Sequence, residues 1–241
     1  MHHFIRAGCA AALLAAGFAA QAGVVKFEGW AHGNGNAVSV SSPGFSGHAG
    51  GFAVTLSGFS GPNALNGAFE AYCVDLYEYI SLGSSYTNYN IVAASTMYSA
   101  SKLAALTQLV TYVNNGNVFA SAAAGSKDNQ STALQLAIWN IVYDSDKTLD
   151  SAPGAAFSEL TPTSTSFRSP SGSSFMGANA LLNATAAPGG RHYELFVLQS
   201  LAPSGRQDQL VWRVSTVPTP GSLALAALAL GVAGYASRRR A

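Results

Sequence analysis

Alternating apolar and polar residues predict strands near the start of the chain. Val24 to Trp30 and Ala37 to Ser41 alternate in this way, with the turn sequence Gly-Asn-Gly-Asn at residues 33–36 between them. A third candidate, Phe52 to Leu56, lies between two copies of Gly-Phe-Ser-Gly, which we interpret as loops because nothing longer repeats. Phe69 to Leu76 is a stronger candidate strand. The chain therefore opens as a β protein.

The apolar spacing then changes to that of helices. Leucines and valines recur every three or four residues in Ser101 to Val113, and Asn-Asn-Gly follows them. A second helix is expected from Asp128 or Asn129 through Tyr143, and a short third one from Phe175 to Ala186. The Ser/Thr/Pro-rich stretch Leu149 to Ser174 is predicted to be a surface loop.

Two more strands, His192 to Leu198 and Gln209 to Ser215, are predicted at the end of this region. Strands on both sides of a helical segment indicate a mainly β (α+β) fold, either a β-sandwich or an open barrel. The small helical insertion is expected at about residues 101–143.

The beginning of the chain has the features of a secretory signal peptide. A weakly basic start precedes an alanine-rich apolar run, and Ala20-Gln21-Ala22 is a small-x-small cleavage site. Residues 1–22 are therefore predicted to be removed by signal peptidase, so that the mature chain begins at Gly23.

The end of the chain predicts a second targeting signal. Two prolines, Pro218 and Pro220, precede Gly221, and an apolar run then leads to three arginines at the end (Arg238, Arg239 and Arg240). The run is close to the lower length limit of a transmembrane helix, about 17 residues. By the positive-inside rule the arginines would stay cytoplasmic, which places residues 23–216 outside the inner membrane.

This tail, Val217 to Ala241, resembles the PEP-CTERM sorting signal, with Thr219 standing where that family usually has Glu. The resemblance implies processing by an exosortase-type membrane protease and release to the cell surface or the extracellular matrix. An ordinary C-terminal anchor that is never cut is the alternative.

Composition agrees with an exported domain. The chain has 12 basic and 11 acidic residues, and the two targeting segments hold four of the basic and none of the acidic ones. The exported part, residues 23–216, is therefore slightly acidic, which makes nucleic acid an unsuitable partner. It is long enough for one sizeable domain with its own core.

Once the leader is removed, the exported domain retains a single cysteine, Cys73. It follows Tyr72 on a predicted strand, and Gln-Leu-Ala-Ile-Trp, from Gln135 to Trp139, lies on the second predicted helix. These two segments, within about residues 69–143, resemble the thioester domains of bacterial surface adhesins. The resemblance implies that the sulfur of Cys73 is joined to the Gln135 side chain as an internal thioester, with Tyr72 and Trp139 as aromatic support.

A thioester is a far better acyl donor than a carboxamide, so a partner amine or hydroxyl would take the acyl group and free the thiol. Such a bond forms once per molecule, and the protein is not expected to be an enzyme. The alternative is an inert scaffold in which Cys73 packs as a small apolar residue and Gln135 braces the helix.

Other chemistry is weakly indicated. The histidines of the exported domain, His32, His48 and His192, are far apart in sequence, so we expect no metal site and no cofactor. Six tyrosines could form a sugar-stacking surface (Tyr72, Tyr77, Tyr79, Tyr86, Tyr89 and Tyr98). The sequence therefore predicts an exported structural or adhesive protein that contacts extracellular polysaccharide or a surface protein. A thioester-armed adhesin and a secreted carbohydrate-binding domain are the alternatives.

Overall fold

The structure is a computed structural model that describes residues 22–40, 45–119, 124–143, 149, 160–161, 173–184, 190–201 and 205–215. Strands and helices alternate irregularly along these ranges. In chain order they are β1 (Gly23–Trp30), β2 (Asn36–Val40), β3 (Phe45–Ala49), β4 (Phe52–Ser57), β5 (Gly67–Cys73), β6 (Ser85–Ala93), a 3-10 turn (Ala94–Thr96), α1 (Ala100–Asn115), α2 (Ala124–Tyr143), β7 (Leu160–Thr161), α3 (Ser173–Leu182), β8 (Tyr193–Ser200) and β9 (Gln209–Val214).

Six strands close into a barrel in the order β1-β4-β5-β9-β8-β6. All neighbouring strands in it are antiparallel. The three remaining strands form a small sheet in the order β3-β2-β7. Every barrel strand pairs on both sides, and the contact between β5 and β9 is short, at Tyr72 and Cys73 only.

The barrel interior is filled by alternate side chains of its strands. Phe52, Val54 and Leu56 of β4 are buried, as are Val25 and Phe27 of β1. Each such side chain stabilises the fold by about 1.5–3 kcal/mol relative to leaving it in water. Alternation places the residues between them on the outer face.

Helix α2 lies at the centre of the molecule, since every residue from Ser131 to Ile141 is buried. It packs most extensively against α3 and also contacts α1 and β5. Its polar residues are tied to the strands: Thr132 Oγ1 donates to the Ala49 carbonyl (2.8 Å), and Ser131 Oγ accepts from the Gly51 amide (2.8 Å). A helix buried on all sides needs partners for such groups, because an unpaired buried polar group is costly.

Most predicted elements are confirmed, with shifted ends: β1, β2, β4, β5, all three helices, β8 and β9. Strand β6 was missed because its first half, Ser-Tyr-Thr-Asn, is polar, and only Tyr89 and Ile91 are fully buried. Strand β3 was also missed, since the first Gly-Phe-Ser-Gly copy, interpreted as a loop, contributes Phe45 to Gly47 to it. The second copy, at residues 58–61, does lie in a loop.

The predicted fold class needs correction. The described chain is mainly β, but it is neither a sandwich nor an open barrel. Strand β6 pairs with both β1 and β8 and so closes the sheet on itself. The predicted class also included a C-terminal transmembrane helix, and the described residues contain no helix that is both long and apolar enough to cross a bilayer. The segment assigned to that helix, within Val217 to Ala241, lies outside the described residues.

Candidate functional site

The end of strand β5 and the middle of helix α2 bring Cys73 and Gln135 together. The Gln135 side chain accepts a hydrogen bond from the Cys73 amide through Oε1 (2.9 Å) and donates one to the Cys73 carbonyl through Nε2 (2.7 Å). Both residues are buried. The carboxamide is therefore fixed against the backbone of the residue that carries the thiol.

This arrangement follows from how β5 ends. Cys73 is its last residue, and on one side it lies opposite Gln209 of β9. The carboxamide of Gln135 forms hydrogen bonds with both the amide and the carbonyl of Cys73, as the backbone of a neighbouring strand would.

The thiol itself is held by a polar contact that the sequence analysis did not anticipate. Nε2 of Gln209 lies 3.6 Å from Cys73 Sγ, and Gln209 is fully buried. Burial raises the pKa of the Cys73 thiol well above its ordinary value, and the hydrogen bond from Gln209 opposes that rise. The free thiol is therefore neutral at physiological pH, and Gln209 favours its ionised form.

Tyr72 and Cys73 are adjacent on a strand, so their side chains leave on opposite faces. The Tyr72 hydroxyl donates to a Glu70 carboxylate oxygen, to which His32 Nε2 also lies close (3.0 Å). The Tyr72 ring stacks on Trp212 at 5.7 Å between centroids. Burial and the nearby Glu70 charge raise the pKa of Tyr72, so this side chain is a neutral donor.

Trp139 lies one helical turn after Gln135 and is buried. Gln135 and Gln209 make hydrogen bonds to Cys73, and Trp139 belongs to the surrounding hydrophobic core. The sequence gives little indication of Gln209, which is a polar residue at the start of a largely apolar strand.

A cavity of about 470 Å³ reaches Cys73 from outside, and we call it the Cys73 cavity. Its size is typical of small-molecule sites. The wall combines aromatic and aliphatic side chains with neutral polar ones, and none of its residues is Asp, Glu, Lys or Arg. Besides Cys73 it is formed by Trp30, Asn34, Gly47, His48, Phe52, Tyr79, Ile80, Leu82 and Gln207. The opening leads to the Cys73 side of the pair, since Gln135 is fully buried and is not part of the wall.

Three acidic residues lie beside the strand ends. Asp75 Oδ1 accepts from the Tyr77 amide (2.9 Å) and the Glu78 amide (3.2 Å), which shapes the loop after β5. Burial, with a contribution from the Asp75 charge, raises the pKa of Asp208 to about 6, although the Ser200 amide donates to it. These carboxylates organise the loops near the cavity.

The structure separates the other candidates. His32 stacks on Phe119, and His48 contacts the Gly35 carbonyl through Nδ1 (3.2 Å). Within the ranges that the structure describes, no three His, Cys, Asp or Glu side chains could hold a metal ion together. Of the six tyrosines, Tyr72 and Tyr89 are fully buried while Tyr77 and Tyr79 are well exposed, so the six do not share one surface.

The residues predicted for processing are not described, with one exception. Ala22 is exposed and lies just before β1. The others lie outside the described residues: Ala20, Pro218, Thr219, Pro220, Gly221, Arg238, Arg239 and Arg240.

Protein-family models, curated proteins and solved structures were compared with this chain, and none matches it. The geometry around Cys73 is therefore the basis for inferring function.

Proposed function

We propose that this is an exported surface-attachment protein in which Cys73 and Gln135 form an internal thioester. A partner amine then attacks the acyl carbon of Gln135, and the protein becomes bonded covalently to its partner. The observation that carries the proposal is the pair of hydrogen bonds that fix the Gln135 carboxamide on Cys73 itself.

Positioning is what this chemistry needs. The Cys73 sulfur attacks the Gln135 side-chain carbon, the carbon–nitrogen bond breaks, and the thiol proton leaves with the nitrogen as ammonia. Holding the two groups next to each other is equivalent to a high effective concentration of one at the other, up to about 10⁵–10⁸ M in well-oriented reactions. Burial of both residues limits hydrolysis of the product, because it keeps bulk water away from the bond.

Acyl transfer uses the opening of the Cys73 cavity. The amine nitrogen of the partner bonds to the Gln135 carbon, the bond to sulfur breaks, and the proton lost by the amine is taken up by the Cys73 thiolate. The partner is left joined through an amide, and the thiol is restored.

Intact-mass measurement tests the proposal. The mature protein should be lighter than its sequence by the mass of one ammonia, and Cys73→Ala should restore the full mass. Methylamine should add to Gln135 and release an alkylatable Cys73. A full-mass wild-type protein with a freely alkylated thiol would instead leave Gln135 as an inert brace.

Export is proposed on the leader and on the tail from Val217 to Ala241. The Pro-Thr-Pro-Gly motif and the terminal arginines support processing by an exosortase-type protease, with the domain delivered to the cell surface or extracellular matrix. N-terminal sequencing of surface material should begin at Gly23. Full-length protein with its leader attached in the cytosolic fraction would contradict this.

Carbohydrate binding is a second candidate, favoured by the Cys73 cavity. Aromatic faces stack on sugar rings, and amides bond to hydroxyl groups; Trp30 and Tyr79 supply the first, and Asn34 and Gln207 the second. A glycan array should show binding that Trp30→Ala abolishes. An array without signal for the folded wild-type protein would argue against this candidate.

A further inference from the structure

We propose that Gln209 is a catalytic residue of the Cys73–Gln135 site. Its side-chain nitrogen donates a hydrogen bond to the Cys73 sulfur when the sulfur carries negative charge, both as the thioester forms and as acyl transfer releases the thiol. The inference rests on the proposed thioester.

The backbone holds Gln209 in place from two sides. It lies opposite Cys73 in the β5–β9 pair and opposite Leu198 in the β8–β9 pair. A residue at this position, fully buried between two neighbouring strands, has little freedom to move away from the sulfur. The contact between its Nε2 and Sγ is therefore a consequence of the barrel register.

The orientation of the amide is set by its other neighbour. Nε2 also lies 3.2 Å from the Gln207 carbonyl oxygen, which can only accept, so the nitrogen and not the oxygen must face that side. The same nitrogen carries a second hydrogen, for which Cys73 Sγ at 3.6 Å and Gln207 Oε1 at 3.5 Å are the two acceptors within reach. In the part of the chain that the structure describes, Gln209 Oε1 has no partner.

A buried oxygen without a partner is costly, and a residue with no polar group would avoid that cost. An apolar side chain would fill this place in the barrel core without leaving a polar atom unpaired. A glutamine at this position is explained if its side-chain N–H group is required to donate a hydrogen bond to the Cys73 sulfur.

The charges around the sulfur make that donor more important. Asp75 disfavours the thiolate through its negative charge. Gln209 is the side chain that favours the thiolate. Removing it should slow every step in which negative charge develops on Cys73.

Two steps depend on this. In thioester formation the sulfur becomes the nucleophile as its proton passes to the departing ammonia. In acyl transfer the bond between sulfur and the Gln135 carbon breaks, and the electron pair stays on sulfur until a proton arrives from the partner amine. A donor that remains in contact with sulfur lowers the barrier of both.

The test compares Gln209→Met, which keeps the length and removes the donor, with Gln199→Met on the neighbouring strand β8 as matched control. We measure the rate at which methylamine consumes the thioester, and then the pH dependence of alkylation of the Cys73 thiol that methylamine releases. One hydrogen bond to a charged atom corresponds to a factor of about ten or more. Gln209→Met should therefore react about tenfold more slowly and shift the alkylation profile to higher pH, while Gln199→Met matches the wild type.

If Gln209→Met does not fold, Gln209→Glu keeps the shape and places an acidic group at the sulfur, and it should slow both reactions further at alkaline pH. Wild-type rates in whichever variant folds would overturn the role of Gln209 alone. A wild-type protein that never loses ammonia would overturn the thioester, and the role of Gln209 in it, together.

Discussion

The two hydrogen bonds from Gln135 to the Cys73 backbone should stabilise the fold even when no thioester can form. The perturbation is Gln135→Met, made in a Cys73→Ala background so that no covalent bond contributes. Methionine fills a similar volume without polar atoms, which keeps the cavity term small. The change leaves one amide and one carbonyl of residue 73 without their partner.

Each buried polar group that loses its partner costs about 1–3 kcal/mol. Two such groups give a loss of about 2–6 kcal/mol in the free energy of unfolding. For a domain of this size, at about 2–4 °C per kcal/mol, that corresponds to a decrease in Tm of about 4–24 °C.

Urea denaturation of Cys73→Ala and of the double variant gives the difference directly. Gln130→Met on the same helix is the matched control, because its Oε1 has no hydrogen-bond partner in the described part of the chain. That control should lose no stability, because methionine removes a buried oxygen that has no partner to lose. A loss for the double variant no larger than that of the control would refute the placement of Gln135 on the strand.

Two further changes test the surroundings of the site. The raised pKa of Asp208, about 6, means that the folded state binds a proton more readily than the unfolded state, so stability should fall as pH rises from about 4 to 6. Asp208→Asn keeps an acceptor for the Ser200 amide and should make stability, measured by denaturation at a series of pH values, depend less on pH in this range. An unchanged dependence would show that other groups cause it. Gly51→Ala would place a methyl group 2.6 Å from the Tyr72 ring and should cost about 1–3 kcal/mol in thermal or urea unfolding. Gly50→Ala, whose nearest contact is 3.3 Å, should cost clearly less, and equal losses would contradict the close packing at Tyr72.

Local patterns were enough to predict most strands and helices, because apolar spacing in β4 or α1 reflects the face each element buries. The spacing could not reveal closure. Strand β6 carries few apolar residues, and its pairing with β1 joins segments that are far apart in sequence. A pattern that describes one strand at a time contains no information on which strand lies beside it.

The same limit applies to the site. Cys73 and Gln135 could be paired from the sequence because both belong to a recognisable motif. Gln209 could not, since its relation to Cys73 exists only through the register of β5 against β9. The Cys73 cavity combines side chains from several loops and strands, and no sequence spacing connects them.

The burial of the middle of α2, from Ser131 to Ile141, has a mechanical consequence. Gln135 lies near the middle of this helix, so a covalent tether at its side chain would apply tension at the centre of the domain. Such a load would be shared by the helix, its packing against α3 and the barrel wall, and it could not be relieved by peeling the chain from one end. A domain built in this way would hold its partner under flow until the whole core yields.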